Sequence, residues 1–285
     1  MKEHVNAETM TLAEKARLLD ESLLALGSVL IAYSGGTDSA FLAFAAHRVL
    51  GTGAVAAIAD SASLPRAELA QALTFTAEHG IATRVLVTDE VSRPEYARND
   101  SSRCFHCKDT LFQAMETERA RLGLAHLAFG MNLDDRGEFR PGQRAAAQHR
   151  VVAPLVEAHL TKADIRTLAQ EAGLTLWSKP ASACLASRIE YGRPVTPHNL
   201  RQVEEAEAAL HALGFSQVRV RHHGDLARIE IDRADLPRAL SAEMLQRFSA
   251  ALKLLGFTYV TVDADGYRSG SMNAVLPASA IAAAR

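Results

Sequence analysis

The spacing of hydrophobic positions in the first two thirds of the chain switches repeatedly between two patterns. Apolar residues at helical spacing over 12–26 predict an amphipathic helix, and the continuous apolar run at 29–33 predicts a buried strand. The two patterns then alternate, and predict further helices at 39–50, 65–79, 108–122 and 162–172, further strands at 54–59, 85–87 and 126–130, and extended chain at 151–154. This order predicts an α/β fold with a doubly wound parallel sheet, in which ligands bind at the carboxyl ends of the strands.

The pattern changes after residue 176. An irregular but ordered linker is predicted where proline and glycine interrupt it, at Pro180, Gly192, Pro194 and Pro197. Beyond the linker, helices at 200–213 and 236–255 and strands at 217–222, 228–231 and 259–262 predict a smaller α+β unit. We therefore predict a first domain at 1–176, a linker at 177–199 and a C-terminal domain at 200–285.

Composition narrows the class of protein. The chain has 285 residues, 48% of them hydrophobic, and a formal net charge of −2, which gives no overall attraction to nucleic acid. No apolar run reaches the ~18 residues that a membrane span needs, and the first 25 residues are too acidic for a signal peptide. Three cysteines are an odd and sparse set, unlike a secreted disulfide scaffold. We expect a cytoplasmic protein without nucleic-acid or membrane partners.

The strongest local signal follows the first predicted strand and opens the next helix. It consists of Ser34, Gly35, Gly36, Thr37, Asp38 and Ser39. Two glycines let the backbone fold tightly, so that amides at the helix N-terminus can bind a phosphate group. The hydroxyl groups add donors, and Asp38 can cap the helix or bind Mg²⁺. The alternative is a simple glycine turn. The segment resembles the pyrophosphate loop (PP-loop) of the N-type ATP pyrophosphatases, which leave AMP on their substrate.

A second polar segment supports the resemblance to that superfamily, in which a Gly-x-Asn-x-x-Asp loop lies beside the nucleotide. The matching residues here are Gly130, Asn132 and Asp135, and Arg140 follows shortly after. Asp135 is suited to Mg²⁺, and Arg140 to a phosphate or carboxylate. Asp60, directly after the second predicted strand, is also assigned to ATP binding. The alternative for this segment is an Asn/Asp turn with solvated charges.

The three cysteines fall in two segments. Cys104 and Cys107 precede the helix predicted at 108–122, where two thiolates can share a metal or form a redox pair. Cys184 lies in the linker between Lys179 and Arg188, cations that can lower the pKa of a thiol and favour the nucleophilic thiolate. Incidental thiols, or a buried small hydrophobic residue in the case of Cys184, are the alternatives.

Together these segments resemble the LarE family, ATP-dependent sulfur transferases that help to make the nickel-pincer nucleotide cofactor. The resemblance covers 34–39, 104–108, 130–135, 140–142, 180–188, 219–225 and 266–273. It implies that a carboxylate of pyridinium-3,5-biscarboxylic acid mononucleotide attacks the α-phosphate of ATP, that pyrophosphate leaves, and that a sulfur nucleophile displaces AMP. In single-cysteine members the equivalent of Cys184 gives up its sulfur and becomes dehydroalanine.

The three cysteines of this chain imply a different sulfur source. By resemblance, Cys104, Cys107 and Cys184 bind three irons of a [4Fe–4S] cluster, and the fourth iron carries a sulfide. Zinc, with His106 as fourth ligand, is the weaker alternative. Whether Cys184 is consumed stays open at this point. The expected cofactors are ATP, Mg²⁺ held by Asp38 and Asp135, and the cluster.

An anionic nucleotide substrate requires cationic anchors. Arg219 and Arg221 alternate on a predicted strand and should therefore face one side, unless they are solvated surface residues. The full set assigned to the substrate is Arg140, Ser187, Arg188, Glu207, Arg219, Arg221, Asp225 and Arg268. The catalytic set is Cys184, Asp38 and Arg188.

Other classes of protein share some of these features. A tRNA sulfurtransferase would normally add a basic face, an amidotransferase such as GMP or NAD synthetase would have no evident use for the thiols, and a nucleotide or iron–sulfur sensing module would bind ATP without releasing pyrophosphate. The resemblance further implies a homo-oligomer, a hexamer being one candidate, and handover of product to other proteins that make the nickel-pincer cofactor.

Overall fold

The computed structural model describes residues 10–136, 141–179 and 183–268. Arg140 and the segment 269–273 lie outside the described residues. The helices are α1 (Leu12–Leu26), α2 (Thr37–Leu50), α3 (Arg66–Glu78), α4 (Pro94–Ala97), α5 (Arg103–Leu122), α6 (Pro141–Gln148), α7 (Pro154–Glu157), α8 (Lys162–Glu171), α9 (Pro197–Ala212), α10 (Leu236–Ala239) and α11 (Ala242–Leu254). The strands are β1 (Val29–Ala32), β2 (Ala54–Asp60), β3 (Thr83–Val87), β4 (His126–Phe129), β5 (Val218–His223), β6 (Leu226–Ile231) and β7 (Tyr259–Val262).

The first sheet is parallel throughout and has the strand order β3-β2-β1-β4. Alternate residues of the central strand β1 point to opposite faces. Val29 and Ile31 belong to a core shared with α1, α2 and α8, whereas Leu30 and Ala32 pack with α5 on the other face. The predicted α/β fold with a doubly wound parallel sheet is therefore confirmed. Strand order reverses at β1, which places a ligand-binding crevice at its carboxyl end.

The second sheet is smaller and has the order β5-β6-β7. β5 and β6 form an antiparallel hairpin, and β7 pairs with β6 in parallel. Its core contains Leu210 of α9 and Phe248 of α11, packed against Val220 and Ile229. The predicted smaller α+β unit is confirmed.

A third apolar cluster lies where the two sheets are connected. Val91 and Tyr96 meet Leu185, Ile189 and residues of α9 there. Buried Asn99 anchors the connection by donating its side-chain amide to the backbone carbonyls of Ile189, Glu190 and Arg193. The backbone of Asn99 is left-handed, with φ +57°, a conformation that asparagine tolerates better than most residues.

Several predicted boundaries are wrong. α5 begins at Arg103 rather than at 108, so Cys104 and Cys107 lie inside the helix. The helix predicted at 236–255 is broken, because Ser241 accepts a hydrogen bond from the Met244 amide and starts α11 anew. The extended chain predicted at 151–154 is reduced to one bridge between Ala128 and Val152. The short helices α4 and α7 were not predicted, since four residues give no periodic pattern.

Across the described ranges, no helix combines the length and the apolar character that crossing a bilayer requires.

An ion-paired histidine ties α6 to α5. His149 Nδ1 is 2.9 Å from Glu116 Oε1, and Nε2 is 2.9 Å from Asp109 Oδ1. Ionised carboxylates only accept hydrogen bonds, so both ring nitrogens must donate and the ring is an imidazolium. Burial alone would lower the pKa of His149, but the hydrogen bonds to Asp109 and Glu116 outweigh it and raise the pKa above its ordinary 6.5.

We predict that His149→Gln destabilises the protein in a pH-dependent manner. Because the folded pKa is raised, the contribution of His149 is fully present below the unfolded pKa of 6.5 and is lost as pH rises through the folded pKa. By urea denaturation, the free energy of unfolding of the variant should therefore be lower than that of the wild type at about pH 6, and this difference should shrink by about pH 9. His211→Gln is the control, because His211 contacts the Phe215 carbonyl and, among the residues that the structure describes, no carboxylate. A deficit that is constant with pH contradicts the prediction.

Candidate active site

The PP-loop segment lies at the carboxyl end of β1, in the crevice where strand order reverses. Gly35 has φ +74°, which turns the chain toward α2. Ser39 Oγ closes the loop by donating to the Gly36 carbonyl at 3.0 Å, and it lies 3.0 Å from Ser34 Oγ. Within the described chain no side chain caps the N-terminus of α2. Its first amides therefore face the crevice as donors for an anion.

At two glycine positions of this region, neighbouring atoms leave no room for a larger side chain. A Cβ on Gly130 would lie 2.7 Å from the Ser39 nitrogen, because the end of β4 runs against the first turn of α2. A Cβ on Gly35 would lie 3.0 Å from the Cβ of Ala72, in α3. The predicted loop after β4 is thus brought into direct contact with the PP-loop.

Side chains join the two loops as well. Asn132 Nδ2 donates to Asp38 Oδ2 at 3.1 Å, while Asn132 Oδ1 accepts from the amides of Asp134 and Asp135 at 2.9 and 3.2 Å. The backbone amide of Asn132 in turn donates to Asp135 Oδ2 at 3.2 Å. Asn132 therefore orients the Asp38 carboxylate, and Asp135 is buried in the turn that holds Asn132.

Two further residues that were predicted to bind ATP, Thr37 and Asp60, form hydrogen bonds within the protein at this edge of the sheet. Thr37 Oγ1 donates to the Leu176 carbonyl at 3.0 Å. Asp60 ends β2 and accepts a 2.5 Å hydrogen bond from Arg66 Nη1. Asp60 thus belongs to the same crevice edge, with its carboxylate paired to a cation of α3.

The three thiols are neighbours. Cys107 and Cys184 pack on the same apolar cluster, and Cys104 is exposed one helical turn before Cys107. Burial raises the pKa of Cys107 to about 12, and Glu90, Cys184 and Cys104 add to the shift while Lys108 opposes it. At neutral pH the Cys107 thiol is therefore protonated.

A buried arginine joins α5 to the linker beside the thiols. Arg103 is 5% exposed and donates to Asn99 Oδ1 and to the Ala186 carbonyl. Burial opposes its charge, but Cys184 and Cys104 outweigh this and raise the pKa of Arg103. Arg103 is therefore an interior cation close to two sulfurs.

Arg188, predicted to be catalytic, instead holds the backbone of Cys184. Its guanidinium is 2% exposed and pairs with both oxygens of Glu207, at 3.0 and 3.2 Å. Nη1 donates to the carbonyls of Ala183 and Cys184. Ser187 Oγ donates to the same Cys184 carbonyl at 2.7 Å. The cysteine is therefore fixed from the side of the C-terminal unit.

With this geometry in place, two relatives are informative. The chain is 39% identical to an uncharacterized protein of Synechocystis over 251 residues. The match covers 88% of this chain and 94% of the relative. It is 37% identical over 276 residues, 95% of its length and 98% of the relative, to the pyridinium-3,5-bisthiocarboxylic acid mononucleotide synthase of Lactiplantibacillus plantarum. The chain belongs to the LarE family.

A third LarE-like relative is archaeal. An uncharacterized protein of Methanocaldococcus jannaschii is 28% identical over 243 residues, which are 85% of this chain and 91% of the relative. No model of a protein family matches the chain.

Two of the predicted LarE substrate arginines gather beside the Cys184 segment. Arg221 donates to the Ser187 carbonyl at 3.3 Å and to Glu230 at 2.6 Å. Arg219 stacks over the Tyr267 ring at 5.4 Å. Burial and the neighbouring charge of Arg188 lower the pKa of Arg219, so these cations share one region.

The other two described substrate candidates are exposed. Arg268 directly follows Tyr267 and pairs with Asp265 at 2.9 Å. Asp225 lies in the turn between β5 and β6, beyond His223. His223 is four strand residues, or about 13 Å, from Arg219, so Asp225 lies at the far end of the hairpin from the Arg219 region.

The three cysteines are the candidate metal ligands of this LarE protein. Among the described residues, no three His, Cys, Asp or Glu side chains converge on a point that one ion could occupy. In an iron–sulfur cubane each thiolate binds a different iron, so the sulfurs need not converge on one point. Three neighbouring thiols beside buried Arg103 are the kind of donor set that such a cluster uses.

Two buried charged residues beside the thiols were not singled out by the sequence analysis. Arg103 carries no motif of its own, and its burial is visible only in the fold. Glu90 is 2% exposed beside Cys107, and its Oε1 has no hydrogen-bond partner among the described residues. A single glutamate outside a periodic element gives no local signal of such burial.

We predict that Gly130→Ala weakens ATP binding as well as stability. The added Cβ must push the first turn of α2, at a cost of about 1–3 kcal/mol, and displaces the amides around Asp38. Gly173→Ala is the control, because Gly173 has φ +72° but open space around its Cβ position, so only stability should fall. Urea denaturation and calorimetric ATP titration measure the two effects. Equal loss of ATP affinity in both variants would refute the steric argument.

We also predict that Arg188→Met destabilises the protein by about 3 kcal/mol or more, because it leaves buried Glu207 without its cation. It should also speed alkylation of Cys184, since the backbone of the cysteine is released. Arg17→Met, in an exposed pair with Glu21, is the control and should change neither quantity appreciably. Urea denaturation and peptide mapping after iodoacetamide treatment are the measurements. Similar results for the two variants would contradict the positioning role.

Proposed function

We propose that the protein is an ATP-dependent sulfur transferase. It adenylylates the carboxylates of pyridinium-3,5-biscarboxylic acid mononucleotide, releases pyrophosphate, and converts the acyl adenylates to thiocarboxylates with release of AMP. The observation that carries the proposal is that a PP-loop at the sheet's switch point and three neighbouring thiols occur in a chain 37% identical to a synthase named for this product.

Activation takes place at the N-terminus of α2. The amides there bind the anionic phosphates of ATP, and Asp38, oriented by Asn132, would hold Mg²⁺. The metal would screen the phosphate charge so that a substrate carboxylate can attack the α-phosphorus. Asp135 acts through Asn132, because its carboxylate is turned to the Asn132 amide.

The substrate is held by the cations next to the cysteine segment. Arg219 and Arg221 present positive charge there, and arginine binds phosphate and carboxylate groups by paired hydrogen bonds. Arg188 and Ser187 keep Cys184 at the edge of that region. The activated carbonyl thus meets a sulfur-bearing segment whose position is fixed.

Sulfur is delivered at the thiols. Cys104, Cys107 and Cys184 would hold a [4Fe–4S] cluster, which supplies an open iron for an extra sulfide. If no cluster is bound, the Cys184 thiolate attacks the acyl carbon itself and AMP leaves. A β-elimination then removes the Cα proton of Cys184 to solvent and breaks its Cβ–S bond, which frees the thiocarboxylate and leaves dehydroalanine. In both cases Arg103 compensates negative charge on sulfur.

The decisive experiment combines two variants with anaerobic analysis of the intact protein. Asp38→Ala should abolish pyrophosphate release, whereas Cys184→Ala should still form the acyl adenylate but no thiocarboxylate. Asp20→Ala, at a surface pair with Arg48, should behave as wild type. About four irons with unchanged mass after turnover indicate the cluster, and a loss of ~34 Da at Cys184 indicates sacrifice. Normal thiocarboxylate formation by Cys184→Ala overturns the proposal.

A further inference from the structure

Lys179, which the sequence placed beside the Cys184 thiol, contacts the PP-loop instead. Its Nζ donates to the carbonyl of Gly35, in the middle of the loop, at 3.2 Å. The same ammonium lies 2.5 Å from Glu68 Oε2, in the first turn of α3. A cation from the linker is therefore in contact with the segment that faces the phosphates.

The backbone around Lys179 is fixed rather than loose. Its amide donates to the Leu176 carbonyl at 3.0 Å, and the same carbonyl accepts the 3.0 Å bond from Thr37 Oγ1 of α2. Its own carbonyl accepts from Arg166 of α8 at 3.1 Å. The backbone at Lys179 is thus held by hydrogen bonds that involve α2 and α8, unlike the backbone of a solvated surface lysine.

The ammonium can take a further ligand. Lysine has three N–H donors, and Gly35 and Glu68 occupy two of them. A cleft of about 560 Å³, lined by Gly35 and Lys179 among other residues, opens at this position, so the group is accessible. The PP-loop itself has no lysine, whereas the triphosphate tail of ATP carries several negative charges.

We propose that Lys179 binds the β- or γ-phosphate of ATP and shares its charge between Glu68 and the departing pyrophosphate. The inference rests on the proposed function and adds a binding residue to it.

A purely structural salt bridge would have different consequences. It would tie the linker to α3, and its loss would cost stability without regard to which nucleotide is present. A phosphate ligand acts on ATP and pyrophosphate but not on AMP, which lacks the β- and γ-phosphates. The comparison of ATP with AMP therefore separates the two roles.

The test uses the full chain with Lys179→Met and Lys179→Arg. It measures dissociation constants for ATP, pyrophosphate and AMP by calorimetry, and the free energy of unfolding by urea denaturation. Lys179→Met should weaken ATP and pyrophosphate binding about tenfold or more and leave AMP binding within about twofold, and Lys179→Arg should restore part of the loss. Lys15→Met is the matched control, because Lys15 forms a similarly half-buried pair with Asp164, at 2.7 Å.

The outcomes are distinct. An unchanged ratio of ATP to AMP affinity in Lys179→Met, with a loss of stability like that of Lys15→Met, overturns the inference. A wild-type protein that binds and cleaves ATP but makes no thiocarboxylate overturns the proposed function and leaves the inference about Lys179 intact. A wild type that binds no ATP overturns both.

Discussion

The site depends on the reversal of strand order at β1. Strands β2 and β3 extend the sheet on one side of β1 and β4 on the other, so the chain leaves neighbouring strand ends in opposite directions. The N-terminus of α2 occupies the resulting crevice, and the end of β4 runs so close to it that only glycine fits at 130. Every other part of the proposed mechanism is arranged around this uncapped helix terminus, where fixed partial charge favours an anion.

Buried charge connects this crevice to the second sheet. Arg188 pairs with Glu207, and Arg221 pairs with Glu230, which also accepts from Arg228. A buried ion pair adds little net stability relative to apolar packing, but removing one partner is costly. Such pairs therefore fix geometry. Here Arg188 fixes the carbonyl of Cys184 and Arg221 contacts the carbonyl of Ser187, and each arginine is held by a glutamate of the C-terminal unit.

Periodicity predicted what is local, and it could not predict partners that are distant in the chain. The alternation of helix and strand patterns identified the sheet, and the Ser34–Ser39 segment was recognisable from its glycines and hydroxyls. The partner of Lys179 is Glu68, 111 residues earlier, and the partner of Arg188 is Glu207, 19 residues later. No spacing rule links such pairs, so each cation was assigned to the nearest thiol in sequence.

The fold exerts opposing electrostatic effects on the thiols. Burial keeps Cys107 protonated near neutral pH, since its pKa is raised to about 12. Any metal or electrophile that binds this sulfur must therefore expel a proton, which makes binding dependent on pH. Arg103 supplies the opposite influence at Cys104, where burial raises the pKa of the thiol and the charge of Arg103 opposes that rise. Burial and this cation therefore act in opposite directions on thiols that lie within one helical turn.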